Sequence, residues 1–184
     1  EGPSHVRVVT ESRAYEASLA VTCAGLQSDR IIRAFGHDPG YRVIPFRGEY
    51  YKLANQPKNL VQHLIYPVPD PSRPFLGVHL TRKLDGGFTV GPNAVLAFKR
   101  EGYRRTDISA GDMLETLGYR GFWALLGRNA GAAASELWSS ALKRAYLSRV
   151  QRYCSRITLA DLQPYPSGVR AQALAPDGAI IHDF

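Results

Sequence analysis

The sequence is poor in cysteine and contains no apolar run of membrane length. Its two cysteines, Cys23 and Cys154, form neither a C-x-x-C pair nor a zinc-binding pattern, which favours a reducing cytoplasm and no metal site. Cys23 ends an apolar strand pattern, so we expect it to be buried. No apolar segment approaches the roughly 20 residues of a membrane-spanning helix. Only 21% of the 184 residues are charged, which excludes a disordered chain.

Acidic residues are outnumbered by basic ones, 16 against 23, which gives a net charge of +7. A basic surface suits an anionic small molecule or a nucleic acid, and a dispersed, solvated basic surface is the alternative. The basic residues are spread along the chain and are not interleaved with aromatic residues in a nucleic-acid-binding motif. We therefore expect no nucleic-acid partner.

The apolar periodicity predicts an α+β fold with a mixed or antiparallel sheet. Alternating patterns predict strands, which lie at 5–10, 14–22, 41–53 and 61–66, and hairpins, which lie at 76–98 and 169–182. Helical spacing predicts helices that begin near 28 and 109, and further helices at 119–129, 130–153 and 158–162. Pro164 and Pro166 are expected to end the last of these helices.

The segment 74–94 carries the most informative pattern. Within it, apolar residues alternate with Gly77, His79 and Thr81, so one face of the predicted strand presents an imidazole and a hydroxyl. The sequence Asp-Gly-Gly at 85–87 supplies a turn that tolerates positive φ angles. Polar groups on one face of a rigid sheet are well placed to meet a small polar substrate.

Four segments, taken together and in order, resemble the L-2-hydroxyglutarate oxidases and dehydrogenases, which are FAD enzymes of the D-amino-acid-oxidase-like superfamily. They are CAGLQSDR at 23–30, VIPFRGEYY at 43–51, PFLGVHLTR at 74–82 with VGPNA at 90–94, and SGVRAQ at 167–172. The resemblance covers nearly the whole chain. No single segment would be specific enough alone.

The resemblance implies FAD-dependent oxidation of L-2-hydroxyglutarate, a small dicarboxylate, to 2-oxoglutarate by hydride transfer to the flavin. Oxygen or a membrane electron-transport chain would take the electrons. Residues 1–40 and 158–184 would belong to a flavin-binding domain, and residues 41–157 to a substrate-binding domain. The expected location is the cytoplasm, with peripheral association with the inner membrane as an alternative. The resemblance sets no oligomeric state.

The family's G-x-G-x-x-G turn, which holds the FAD pyrophosphate at a helix N-terminus, does not occur in this sequence. A second glycine-containing flavin segment, which the family places near its carboxyl end, is also missing. We interpret the chain as part of a longer enzyme and expect it to bind FAD weakly or not at all. The alternatives are a related FAD-dependent 2-hydroxy acid or amino acid oxidase, and a non-catalytic basic binding module.

Arg170 and His79 are the leading site candidates. Gly168-Val169-Arg170 resembles the family site where an arginine anchors the substrate carboxylate, and a guanidinium binds a carboxylate through two hydrogen bonds. A structural ion pair is the alternative for Arg170. His79 is the candidate base for the substrate hydroxyl, because the pKa of imidazole suits proton transfer. The alternative is an ordinary hydrogen-bonded histidine in a sheet.

The second carboxylate of a dicarboxylate substrate needs a second cationic or phenolic partner in the protein. Arg47 or Tyr51 could hold it, and strand alternation turns these two side chains to one side and Tyr50 to the other. Thr81 and Asn93 could orient the substrate or His79, although hydrogen bonding within the sheet explains them equally.

The resemblance places one turn, at 24–28, along the FAD. Ala24, Gly25 and Ser28 are its candidate contacts, since a residue without a side chain lets the backbone approach a cofactor.

Overall fold

The computed structural model of the protein describes residues 5–54, 60–68 and 77–181. Its strands are β1 (Val6–Val9), β2 (Ala14–Ala17), β3 (Arg42–Leu53), β4 (His79–Arg82), β5 (Phe88–Leu96) and β6 (Leu162–Leu174). Its α-helices are α1 (Ser28–Ala34), α2 (Ala110–Leu117), α3 (Arg120–Arg128), α4 (Ala130–Ala141) and α5 (Lys143–Val150). The predicted α+β class is confirmed. No helix in these ranges is long and apolar enough to cross a bilayer.

The main sheet has the strand order β4-β5-β3-β6, and all of its pairs are antiparallel. Strand β3 lies in the interior and pairs along its length with β5 on one side and β6 on the other. Strands β1 and β2 form a separate two-stranded hairpin. The sheet joins β6 to β3, so the domain boundary predicted at 158 does not coincide with a break in the sheet.

Alternation along β3 sends its side chains to two different cores. Ile44 packs with Phe122 and Leu125 of α3, whereas Leu53 packs with Tyr146 and Val150 of α5. Residues 44 and 53 differ by an odd number of positions, so the two cores lie on opposite faces of the sheet. We call these faces the α3 face and the α5 face.

Strands β5 and β6 each carry a bulge where they pass the middle of β3. Between Glu49 and Tyr51 of β3, strand β5 passes from Asn93 to Val90, which inserts one extra residue into β5. Gly91 lies in this bulge with φ near +145°, and a Cβ there would stand 2.6 Å from the Tyr50 ring. Glycine is therefore required at this position for both its backbone angle and the close approach of the tyrosine.

Two of the predicted helices are wrong in detail. The single helix predicted for 130–153 is two helices, because Leu142 adopts extended backbone angles between α4 and α5. The short helix predicted for 158–162 is a turn that leads into β6. Pro164 and Pro166 lie within β6 rather than ending a helix. An edge strand accepts proline, since its outward N–H groups have no strand partner, and β6 pairs only with β3.

Other strand predictions are only partly confirmed. The hairpin at 76–98 is present as β4 and β5, although residues 74–76 lie outside the described ranges. The predicted strand 61–66 contributes one bridge, between Ile65 and Leu80, and the predicted hairpin at 169–182 contributes one, between Leu174 and Ile180. Cys23 is exposed rather than buried, because β2 ends at Ala17 and the segment after it lies at the surface.

A buried ion pair and a hydrogen bond, both made by Asp29, hold α1 against the sheet. Asp29 is fully buried and forms a two-point contact with Arg100, whose Nη2 donates at 2.9 Å. The backbone N–H of Val43 and the Nη2 of Arg33 also donate to the Asp29 carboxylate, at 3.1 and 3.2 Å. Burial alone would raise the pKa of Asp29, but these hydrogen bonds and the charges of Arg100 and Arg33 lower it below its ordinary value.

Asp29→Ala should lower the free energy of unfolding by about 3–5 kcal/mol, because it removes the buried carboxylate that pairs with Arg100 at two points and leaves that guanidinium with the exposed Glu115 as its carboxylate partner. Urea unfolding measures this loss. Glu16→Ala is the control, since it breaks an exposed pair with Arg7 at 4.0 Å, for which we expect about 0–1 kcal/mol. Equal losses in the two variants would contradict the role given to Asp29.

Candidate active-site face

The α3 face of the sheet carries a cluster of polar and aromatic side chains beside the core at α3. Residues directly opposed in an antiparallel pair share a face. Arg170 of β6 is opposed to Phe46, which packs against the α3 core, so Arg170 lies on this face. We call the group the His79 face and define it by His79, Thr81, Tyr50, Lys52, Tyr165 and Arg170.

His79 reaches this face by the same alternation. Its neighbour Leu80 is opposed to Val90, and both belong to the α5 core. His79 is opposed to Gly91 and therefore points the other way. Thr81, two residues further along β4, lies on the same side and is half-buried.

The His79 ring is held at its edge and on its flat side. It is only 9% exposed, and its Nδ1 lies 3.3 Å from the carbonyl oxygen of Gly77. A carbonyl oxygen can only accept, so Nδ1 donates and the neutral ring keeps Nε2 as an acceptor. The ring of Tyr66 stacks on the imidazole, with centroids 4.3 Å apart and an angle of 23° between the planes.

The environment keeps the His79 ring neutral at neutral pH. Burial lowers the pKa of His79, the hydrogen bond to Gly77 partly opposes that effect, and the positive charge of Arg170 lowers the pKa further. A neutral imidazole with a free acceptor nitrogen can take up a proton. This is the state that a general base requires.

Arg170 and His79 lie on the two opposite edge strands of the sheet and on the same face. Their strands, β6 and β4, are separated by β3 and β5, a lateral span of roughly 14 Å at the usual strand spacing. The positive charge of Arg170 nevertheless contributes to the lowered pKa of His79, so the two groups interact electrostatically across the sheet. The arginine is exposed, and a small anion on this face could meet both groups.

Aromatic and basic side chains cover the sheet surface between the two edge strands, β4 and β6. The Tyr50 ring lies over Gly91, next to His79, and Tyr50 is opposed to Tyr165 of β6. The Lys83 ammonium lies 5.2 Å from the centre of the Tyr165 ring. The area between the two edge strands is therefore aromatic, and its Lys83 also forms an ion pair with Asp85 at 3.3 Å.

The structure does not bring Arg47, Tyr51 and Asn93 to this face. Arg47 is buried on the α5 face, where it donates to the Glu49 carboxylate at 3.2 Å and to the carbonyl oxygen of Arg104 at 3.2 Å. Tyr51 packs on Tyr146, with ring centroids 4.7 Å apart.

Asn93 is fully buried on that same side. Its amide donates to the carbonyl oxygen of Glu136 at 2.9 Å, and Arg149 lies 3.4 Å from its oxygen. Arg47, Tyr51 and Asn93 therefore have structural partners on the α5 side, and their contact with substrate stays a prediction.

A cavity of about 320 Å³ lies beside the His79 face, between the sheet and helices α3 and α4, and Gly77, whose carbonyl oxygen is the partner of His79, is one of its lining residues. Its walls are largely apolar and include Phe46, Leu96, Phe122 and Leu137. Neither His79 nor Arg170 lines it. Of the two, the His79 face is the one that carries an imidazole with a lowered pKa and an exposed arginine.

Sequence reasoning missed Tyr66, Tyr50 and Tyr165 as members of the site. Tyr50 could have been found, because its side chain alternates with those of Arg47 and Tyr51. Tyr66 and Tyr165 had no signal in the sequence, since their places depend on a single bridge and on a bulge register.

A model of the family described as FAD-dependent oxidoreductase matches residues 1–184, which is the entire chain. The chain belongs to this FAD-dependent oxidoreductase family. The L-2-hydroxyglutarate dehydrogenase of Escherichia coli strain K12 is 55% identical over 170 residues, which cover 92% of this chain and 40% of the relative. That of Salmonella houtenae is 51% identical over 175 residues, covering 95% and 42%.

The mitochondrial L-2-hydroxyglutarate dehydrogenase of Homo sapiens is 43% identical over 175 residues, covering 95% of this chain and 38% of the relative. The chain thus spans about 40% of the length of the curated relatives it matches.

Among the described residues of this family member, the turn at 24–28 is the candidate contact with the cofactor. Ala24 precedes Gly25, which has φ near +48° and open space where a Cβ would stand. Ser28 begins α1. A flat ring could approach this turn, so these residues fit a contact with FAD, but they contain no glycine cradle for its pyrophosphate. The FAD contact assigned to Ala24, Gly25 and Ser28 stays a prediction.

Arg170→Met should raise the pKa of His79, because it removes a positive charge that disfavours protonation of the ring. Titration of the histidine by NMR measures the change. Arg82→Met is the control, since Arg82 is exposed and is opposed to Phe88 on the α5 face. An unchanged pKa in Arg170→Met would mean that the two groups are too far apart to share a ligand.

Proposed function

We propose that this chain forms the substrate-binding part of an enzyme that oxidises L-2-hydroxyglutarate to 2-oxoglutarate with FAD. The observation that supports the proposal most strongly is the shared face of His79 and Arg170, which pairs a neutral base with a cation over an aromatic surface. The names of the relatives supply the substrate. A hydroxy dicarboxylate is the kind of molecule that such a face would recognise.

In this proposal Arg170 binds the carboxylate next to the reacting carbon. Its guanidinium can donate two parallel hydrogen bonds, which orient the acid as well as attract it. The ammonium groups of Lys52 and Lys83 lie on the same side of the sheet and favour the second carboxylate by charge. Arg47, one of the two candidates for this role together with Tyr51, donates to Glu49 on the other face.

His79 takes the proton of the substrate hydroxyl in this proposal. Its Nε2 carries the free lone pair because Nδ1 donates to Gly77. Loss of that proton leaves an alkoxide whose C2–H bond breaks more readily as a carbonyl forms. FAD, when bound, accepts the hydride from carbon 2, so the substrate loses two electrons and two hydrogens in all.

The electron acceptor forms part of the same proposal. The relatives are named dehydrogenases, which favours the membrane electron-transport chain over oxygen of the two acceptors considered above. A membrane acceptor would require peripheral contact with the inner membrane.

His79→Gln should lower kcat of the full-length protein by about 100- to 10,000-fold, the usual contribution of a general base. In the native enzyme, activity should fall as the pH drops through the lowered pKa of His79, because only the neutral ring accepts the proton. Dye-linked oxidation of L-2-hydroxyglutarate over a range of pH values measures kcat of the variant and the pH dependence of the native enzyme. A glutamine variant with full activity and an unchanged pH profile would end the assignment.

Arg170→Met should raise KM by about 10- to 150-fold, the range expected when a hydrogen-bonded ion pair worth about 1.5–3 kcal/mol is lost. Arg47→Met should leave KM unchanged and should lower the free energy of unfolding by roughly 1–3 kcal/mol, since it removes a buried partner of Glu49. Steady-state kinetics and urea unfolding separate the two roles. The reverse pattern would assign the carboxylate to Arg47.

A further inference from the structure

We infer that Tyr66 is a positioning residue, which holds the His79 imidazole in one orientation by stacking on its flat side. The inference rests on the proposed function, in which His79 is the base, and it adds a residue from outside the four-stranded sheet. The stack is close and nearly parallel, with centroids 4.3 Å apart and planes at 23°.

The backbone places Tyr66 opposite His79. Ile65 and Leu80 exchange both of their backbone hydrogen bonds, at 3.0 and 2.9 Å, in an antiparallel bridge. One step beyond such a bridge, the next opposed pair is Tyr66 and His79. A pair without its own hydrogen bonds has the shorter Cα separation in antiparallel structure, so its side chains pack tightly.

Two contacts together define the orientation of the ring. The hydrogen bond from Nδ1 to Gly77 holds one edge but leaves the imidazole free to tilt about that bond. The Tyr66 ring blocks this tilt from one side. With both contacts present, Nε2 points in a fixed direction, which a proton transfer needs because a misplacement of about 1 Å can cost roughly 100-fold in rate.

Tyr66 is itself 47% exposed, whereas the histidine beneath it is 9% exposed. A half-exposed tyrosine contributes less to a core than a buried one does, and this one covers one side of the imidazole. The charged and titratable groups that face His79 are Tyr66 on the stacked side, Arg170 across the sheet and Tyr50 over Gly91.

The test compares Tyr66→Ala with Tyr66→Phe in the full-length holoenzyme. Tyr66→Ala should lower kcat about tenfold with little change in KM, since orientation rather than binding is lost. It should also raise the pKa of His79, seen both in the pH profile and by NMR of labelled histidine, because water gains access to the ring. Tyr66→Phe keeps the stack and should restore both values.

Tyr103→Ala is the matched control. Tyr103 is 51% exposed, close to the value for Tyr66, but takes no part in the His79 face, so its loss should change neither kcat nor the pKa. Native values of both in Tyr66→Ala would overturn the positioning role. A tenfold loss that Tyr66→Phe fails to restore would also overturn it, because the hydroxyl rather than the stack would then matter.

If His79 is not the base of the reaction, the variants should give a different pattern. His79→Gln would keep full activity, while Tyr66→Ala would still shift the NMR titration of His79. That result would leave Tyr66 as a packing partner of the histidine and would overturn its role in the reaction.

Discussion

The double pairing of β3 is the constraint on which the rest of the structure depends. This 12-residue strand exchanges hydrogen bonds with β5 on one side and with β6 on the other. Because its neighbours absorb the bulges, its own alternation runs unbroken from Arg42 to Leu53. The pairing of β3 with β5 and β6 therefore determines which polar side chains of the three strands lie on the same face of the sheet. A slip of one residue in just one of these two pairings, β3 with β5 or β3 with β6, would put His79 and Arg170 on opposite faces of the sheet.

The two faces use charge in opposite ways. On the α5 face, Glu49 accepts two hydrogen bonds from Arg105, at 3.0 and 2.9 Å, and others from Arg47 and Ser140. Such buried networks hold helices against a sheet and have little capacity left for a ligand. On the His79 face, the cationic groups lie nearer to solvent over aromatic rings. Charge is thus buried in a structural network on one side and closer to solvent on the other.

Sequence patterns predicted the strands of the sheet well, because alternation over 41–53 and 76–98 is strong and the turn at 85–87 is specific. They also predicted that Arg47 and Tyr51 diverge from Tyr50. Patterns could not tell which side would carry the site, since that depends on which helix packs on which face. Pro164 and Pro166 misled the prediction because proline ends a helix but is also accepted at a sheet edge. Tyr66 was missed because one bridge leaves no periodic signal.

The central claim is that His79 and Arg170 meet the same small dianion. The most direct measurement is the NMR titration of His79 in the full-length holoenzyme, with and without saturating 2-oxoglutarate. A bound carboxylate next to the imidazole should raise its pKa, since a nearby negative charge favours the protonated ring. The rise should disappear in Arg170→Met at the same ligand concentration. A pKa that stays unchanged when 2-oxoglutarate saturates the native enzyme would contradict the claim.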